Sequence, residues 1–211
     1  METKRKINPN KEFYNPEMYN RFTKESNPSV CVTGKLNISK LMKFKKHGYK
    51  LNALLCYCIQ QAAQKIEAFH YSIKEDGLYY YQNVKTNSVV FGKDGKHYYP
   101  DYFYHANFND FYNEYNKNNT YCYENCKHYI VDAGAIIATS AVVNYPFESF
   151  SLGVSETFWD NFLMWGKYFK SGFKTYLNMS LRFHHALIDG KTAGDFFNEL
   201  QKQINIFKPN L

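Results

Sequence analysis

The sequence lacks the features that are typical of membrane-spanning, secreted and disordered proteins. No run of about eighteen apolar residues occurs, and the chain starts with Met1-Glu2-Thr3-Lys4-Arg5-Lys6, which has no apolar core of the kind that a signal peptide needs. Apolar residues make up 45% and charged residues 21%, as in ordinary globular domains. We therefore expect a cytoplasmic protein whose 211 residues fold as a single domain over 1–211.

Nucleotide-binding loops and metal-ligand pairs are also missing. Neither common form of the glycine-rich phosphate loop occurs, so ATP or NAD as the main ligand has no support. The five cysteines are Cys31, Cys56, Cys58, Cys122 and Cys126. They do not provide the two pairs of ligands, at suitable spacing, that a zinc site needs. We expect free thiols and no metal.

Arginine is scarce although the chain is basic. The net charge is +7, yet only Arg5, Arg21 and Arg182 are arginines among 26 basic residues. The excess of Lys, Asn, Tyr and Phe is typical of an AT-rich genome, and we expect neither a nucleic-acid nor a membrane partner. The alternative is a nucleic-acid-binding protein, which only the positive charge and the tyrosine content suggest. The lysines also favour an anionic small-molecule substrate.

Hydrophobic periodicity predicts a mixture of helices and strands. Asn15 and Ser39 are the expected N-caps of two short helices. The predicted helices are 16–22, 39–46, 53–66, 107–126 and a closing helix over 193–204, and the predicted strands are 30–36, 69–74, 77–81, 88–91, 135–143, 147–154, 162–169 and 175–185. Because helices and strands do not alternate regularly, the fold class is α+β rather than a doubly wound sheet.

The run 175–185 carries the main functional signal. Four apolar side chains alternate along it, and His185 follows with the same period of two. A half-buried imidazole stays neutral at physiological pH, which suits a general base. The alternative is a core histidine that bonds only to backbone.

Several motifs resemble those of the chloramphenicol acetyltransferase family, which belongs to the CoA-dependent acyltransferases. The specific one is His184-His185-x-x-x-Asp189-Gly190, followed by a helix containing Phe197-Asn198-Glu199-Leu200-Gln201. Weaker likenesses lie in the same order at Leu36-Asn37-Ile38-Ser39, at 144–150 and at Gly166-Lys167-Tyr168. The resemblance covers nearly the whole chain. It implies a two-layer fold, with a mixed β-sheet packed against helices, in a homotrimer with active sites at the subunit interfaces.

The resemblance also implies a mechanism. His185 would be the general base that deprotonates a hydroxyl of chloramphenicol as it attacks acetyl-CoA, with the other ring nitrogen bonded to the residue's own carbonyl. Ser149 would donate to the oxyanion, although its pattern also fits a strand serine that faces solvent. Asp189 would be structural support, and Lys167 and Tyr168 would bind CoA. The implied role is antibiotic inactivation, and hence resistance, with acetyl-CoA as co-substrate and no metal.

Two positions depart from the family. Asn15 stands where the family has the arginine that pairs with Asp189, so the remaining candidates for that contact are Arg21, Arg182, or backbone groups together with Asn15 itself. Met164 stands in place of a threonine that helps to hold the intermediate, and a thioether cannot donate a hydrogen bond. These departures leave the acceptor hydroxyl open to another small molecule.

Two other classes of protein share the implied fold. The catalytic core of a dihydrolipoyl acyltransferase carries an Asp-His-Arg-x-x-x-Asp-Gly form of the motif, which the doubled histidine disfavours. A trimeric binding protein without turnover is the second alternative, and the presence of His185 and Ser149 disfavours it.

Overall fold

A computed structural model describes residues 4–151 and 159–209, and it has helices and strands in mixed order. The helices are α1 (Pro9–Glu12), α2 (Pro16–Phe22), α3 (Ser39–Lys46), α4 (Leu51–Ala63), α5 (Phe108–Asn125) and α6 (Gly190–Ile206). The strands are β1 (Lys4–Lys6), β2 (Ser29–Asn37), β3 (Tyr71–Lys74), β4 (Gly77–Tyr81), β5 (Val84–Asn87), β6 (Val90–Phe91), β7 (His97–Tyr98), β8 (Asp101–Tyr102), β9 (Ala135–Val142), β10 (Asn161–Gly166), β11 (Phe169–Ser171) and β12 (Lys174–His184). Within the described residues, no helix is both long enough and apolar enough to cross a lipid bilayer.

The seven-stranded sheet is mixed, which confirms the α+β prediction. Its order is β11-β12-β10-β9-β5-β8, and β2 pairs along β12. Strand β9 is parallel to β5 and β10, whereas β12 is antiparallel to β10 and β2. The end of β12 therefore lies beside the beginning of β10.

The alternation predicted along β12 is confirmed. Its apolar side chains are at most 1% exposed in the core, and they are Leu177, Met179, Leu181 and Phe183. Helix α6 packs closely on the neighbouring strand, because a Cβ on Gly34 would lie 2.7 Å from the Phe197 ring. The polar side of β12 is buried as well, with Ser180 at 2% and His184 at 3% exposure. Both faces of this strand are therefore covered at its second half.

Most of the predicted helices are confirmed, but one cap is wrong. The side chain of Asn15 accepts a hydrogen bond from Met18 N at 3.0 Å, as expected of an N-cap. Ser39 is instead the first residue of α3, and its N–H donates to the side chain of Asn37 at 3.1 Å. Its hydroxyl accepts from Thr175 N at 2.9 Å, so this serine ties the helix to β12.

One predicted strand is wrong, and a strand of the sheet was not predicted. Residues 147–151 form no strand, because their backbone bonds to side chains of β12 instead: Asn178 Nδ2 donates to Phe147 O at 2.8 Å, and Phe150 N donates to Ser180 Oγ at 3.0 Å. Residues 152–154 lie outside the described part. Strand β5 was not predicted, because the polar Lys85 interrupts its apolar pattern. In the structure Lys85 is buried, and its Nζ forms an ion pair with Oδ2 of the buried Asp101 at 2.5 Å.

Candidate active site

His185 lies in the turn between β12 and α6. The strand ends at His184, so the expected alternation stops one residue earlier than predicted. The His185 N–H donates to Pro28 O at 2.8 Å, and the half-buried ring stacks on Phe22, with centroids 4.1 Å apart. The ring also lies edge-on to Phe183 at 6.5 Å. Its orientation is therefore set by the turn and by α2, not by the pleat of the strand.

One hydrogen bond determines which nitrogen of His185 carries the proton. Nδ1 lies 3.1 Å from the carbonyl oxygen of Ile188. A carbonyl oxygen can only accept, so Nδ1 carries the hydrogen and Nε2 keeps its lone pair. The family resemblance implied a bond to the residue's own carbonyl, and the structure replaces that partner with Ile188. The tautomer is nevertheless the one that a general base needs.

His184 is buried beside this turn and is neutral. Burial, together with the charges of Arg182 and His185, lowers the pKa of His184 to about 4. Its Nδ1 accepts a hydrogen bond from Ala186 N at 3.0 Å, and its ring packs against Trp159. His184 therefore acts as a hydrogen-bond acceptor inside the turn.

Asp189 is the N-cap of α6 and has no arginine partner. Its side chain accepts from Thr192 N at 2.7 Å, and the Thr192 hydrogen bonds hold the pKa of this carboxyl below its usual value. None of the ion pairs in residues 4–151 and 159–209 includes Asp189. Because the carboxylate is only half-buried, it does not require the compensating charge that a fully buried one needs.

The expected substitutes for the missing arginine have other roles. Arg182 donates to the backbone oxygen of Asp160 at 2.5 Å, and Arg21 is exposed. Tyr14, which the sequence did not single out, donates its hydroxyl to Leu187 O in the turn that carries His185. The contact between the amino-terminal segment and the turn is thus a neutral hydrogen bond rather than an ion pair.

Ser149 and His185 have different neighbours in the described structure. Ser149 is exposed, in the segment that bonds to Ser180 through Phe150. Ser180 and His185 are separated by about 16 Å of chain at strand rise. No hydrogen bond within the described residues joins Ser149 to His185. The segment of Ser149 therefore lies beside the middle of β12, whereas His185 lies in the turn that follows this strand.

Met164 lies in the row of side chains that contains Ser180. It pairs in register with Ser180 on β12 and with Ser140 on β9. The Thr33 hydroxyl extends the row by bonding Ser180 Oγ at 2.7 Å. The thioether therefore interrupts a line of hydroxyl groups.

Lys167 and Tyr168 follow the last residue of β10, at the end of the sheet opposite to His185. Lys167 is exposed, and its N–H donates to Tyr145 O at 3.0 Å. Lys45 of α3 donates to the Tyr168 hydroxyl at 2.9 Å and lowers the pKa of that phenol. Lys45 is not among the residues predicted from the sequence, for which the lysine run of α3 was the available signal.

Two cavities open near these elements. The larger, of about 460 Å³, lies where α4 begins and where β9 and β10 end, close to Lys167. Its lining residues are Leu51, Asn52, Ser88, Val89, Val90, Phe91, His97, Tyr115, Ser140, Ala141, Val143 and Trp165. The smaller, of about 250 Å³, is lined by Asn87, Val89, Tyr99, Ile130, Ala138, Thr139 and Phe162. Both have mainly apolar walls with a few polar groups, as small-molecule sites do.

A metal centre has no support in the described part of the chain. No group of three or more His, Cys, Asp or Glu side chains there is arranged to hold an ion. The five cysteines are free thiols.

Known proteins resemble this chain in sequence over most of its length. A chloramphenicol acetyltransferase from Campylobacter coli is 27% identical over 195 residues, which are 84% of this chain and 87% of that protein. A chloramphenicol acetyltransferase from Staphylococcus aureus is 28% identical over 193 residues, covering 87% of this chain and 88% of the relative.

Solved structures share the fold. A chloramphenicol acetyltransferase superposes with a TM-score of 0.80 at 22% identity, over 95% of this chain and 99% of the other. A probable dihydrolipoamide acetyltransferase from Listeria monocytogenes superposes with a TM-score of 0.69 at 15% identity, over 92% and 91% of the two chains. The sequence profile of the family described as chloramphenicol acetyltransferase matches residues 6–201. The chain therefore belongs to the chloramphenicol acetyltransferase family.

Proposed function

We propose that this protein transfers an acetyl group from acetyl-CoA to a hydroxyl of chloramphenicol. The observation that carries the proposal is the bond from His185 Nδ1 to Ile188 O, which leaves Nε2 free to accept a proton. The relatives named chloramphenicol acetyltransferase support this acceptor. Acetylation in the cytoplasm would inactivate the antibiotic and confer resistance.

The reaction is a direct transfer. Nε2 of His185 takes the hydroxyl proton while the acceptor oxygen forms a bond to the thioester carbon of acetyl-CoA. The carbonyl oxygen becomes an oxyanion, to which the Ser149 hydroxyl donates. The intermediate then breaks its carbon–sulfur bond, and the imidazolium returns the proton to the CoA thiolate. No acyl-enzyme forms, and Asp189 acts only by capping the helix that follows the turn.

The active site is completed between subunits of a homotrimer. The support is that Ser149 lies in the segment bonded to Ser180, whereas His185 lies in the turn after β12, and that no hydrogen bond of the described residues joins the two side chains. A closed, symmetric assembly places the end of β12 of one copy against the surface of the next. Each 211-residue chain acts as one domain in this assembly.

The phosphate end of acetyl-CoA binds where Lys167 and Tyr168 lie. Residues 26–66 contain seven lysines and residues 161–188 contain three lysines and Arg182, yet neither stretch contains an aspartate or glutamate. Strand β2 and helix α3 of the first stretch pack on β12 of the second. Lys65 is paired with Glu199 and Arg182 is buried, but the other lysines of the two stretches form a positive surface that attracts phosphates. The nearby 460 Å³ cavity receives the other end of acetyl-CoA, the arm that carries the acetyl group.

Lys45→Ala should raise the KM for acetyl-CoA about tenfold, with kcat nearly unchanged. It removes a charge next to the predicted phosphate site and releases the Tyr168 hydroxyl. Lys43→Ala is the matched control, since it removes the same charge from an exposed position of α3. Equal effects of the two substitutions in a steady-state assay would show that only the overall charge matters.

The proposed function is tested by thiol release from acetyl-CoA, with and without chloramphenicol. Release that depends on the antibiotic supports the proposal. Release that requires a different hydroxyl compound would change the acceptor and would agree with the presence of Met164 in the row of hydroxyl groups. No release with any hydroxyl acceptor would favour a trimeric binding protein without turnover.

A further inference from the structure

The orientation of His185 depends on the position of one backbone carbonyl. The N–H groups of Leu187 and Ile188 both donate to His184 O, at 2.9 and 3.1 Å, and this closes a tight turn after β12. The Ile188 carbonyl thereby points back to Nδ1 of His185. A shift of this turn by about 1 Å would break a bond that is already 3.1 Å long.

Two side chains outside the proposed chemistry hold that turn. Ala186 N donates to Nδ1 of His184 at 3.0 Å, and His184 is 3% exposed, so water does not compete for this acceptor. From the other direction, the Tyr14 hydroxyl donates to Leu187 O. Burial raises the pKa of Tyr14, so its phenol keeps its hydrogen as a donor. Each contact is made to a residue immediately beside His185 or Ile188.

We propose that His184 and Tyr14 are positioning residues, which hold the Ile188 carbonyl against Nδ1 of His185 and so maintain the tautomer of the base. The proposal rests on the proposed function in that His185 is the base. His184 accepts one backbone hydrogen bond and Tyr14 donates one, and neither needs to touch a substrate. Where the family resemblance leads one to expect an arginine–aspartate ion pair, this chain uses the phenol of Tyr14.

Substitution of His184 by Asn or by Gln can distinguish a hydrogen-bonding role of this side chain from a role in packing alone. Asn at position 184 carries an acceptor oxygen close to the place of Nδ1, whereas Gln carries its polar atoms near the place of Nε2. His184→Asn should therefore keep kcat within about threefold of the starting protein. His184→Gln should lower kcat about tenfold or more while the KM for acetyl-CoA stays within about twofold.

Tyr14→Phe tests the other contact without removing a ring from the structure. It should lower kcat about fivefold, because the Leu187 carbonyl loses its side-chain donor. Tyr14→Phe combined with His184→Gln should lose less than the product of the two single effects, because both substitutions loosen the same turn. Independent, multiplicative effects would contradict a shared turn.

The decisive readout is the tautomer of His185, measured by nitrogen-15 NMR of its ring in the full-length protein. The starting protein and His184→Asn should show a protonated Nδ1 and an unprotonated Nε2. His184→Gln and Tyr14→Phe should show exchange between tautomers, with thermal midpoints used to confirm folding. An unchanged His185 tautomer in folded His184→Gln would overturn the proposal, and so would equal losses in His184→Asn and His184→Gln.

The two hypotheses can fail separately. If the starting protein transfers no acetyl group, the proposed function fails while the NMR comparison still tests the turn. If His184→Gln does not fold, Tyr14→Phe decides, because Tyr14 is 41% exposed and its substitution removes only a hydroxyl. An unchanged His185 tautomer in Tyr14→Phe would then contradict the proposal.

Discussion

His185→Ala should lower chloramphenicol-dependent thiol release by about 10²–10⁴-fold, the range that general base catalysis contributes. The substitution removes the ring whose Nδ1 is bonded to the Ile188 carbonyl and whose Nε2 is left to accept the proton. The measurement is the release of CoA thiol from acetyl-CoA by purified protein at saturating antibiotic. The loss should fall on kcat, because the ring acts on the acceptor proton in the transition state.

His185→Gln is the matched control for the lost ring. It keeps most of the side chain that packs against Phe22 but has no nitrogen that can take up a proton at neutral pH. Both variants should be inactive and should unfold near the starting temperature. Turnover close to that of the starting protein in either one would remove His185 as the base.

Ser149→Ala should lower kcat about a hundredfold or more, with little change in the affinity for acetyl-CoA. The serine is exposed in one chain, so its removal leaves no cavity, and the fold should be unaffected. The lost rate corresponds to one missing donor to the oxyanion. A change confined to KM would make Ser149 a binding residue instead.

Mixing the two inactive variants tests whether the site is shared between subunits. If His185 and Ser149 of one site come from different copies, random reassembly of equal amounts of His185→Ala and Ser149→Ala should restore about a quarter of the activity. If both residues act within one chain, no mixed assembly contains an intact site. An unchanged, near-zero rate after verified subunit exchange would therefore reject the shared site.

Signals local in the chain were readable before the fold was known. The period of two along β12 places its four apolar side chains in the core, and the Asn-Pro pair at 15–16 begins α2 as predicted. These features depend on residues two to four positions apart, whose geometry follows from strand and helix repeats. The same reasoning failed at 147–151, where bonds to Asn178 and Ser180 replaced strand pairing.

Contacts between distant segments could not be read in the same way. No spacing rule links Tyr14 to Leu187, or Lys45 to Tyr168, because the sheet and the packing of α3 decide which segments meet. The resemblance suggested a charged partner for Asp189, but that carboxylate is only half-buried, and a helix cap is sufficient.

Residue order alone therefore established the fold class, the family and the histidine that stands before Asp189-Gly190. The tertiary structure decided which oxygen orients His185 and which strand the segment of Ser149 contacts. The reason is physical: side-chain periodicity and helix capping are set by neighbours in the chain, whereas the conformation of a turn and the meeting of remote groups depend on the packing of the whole domain.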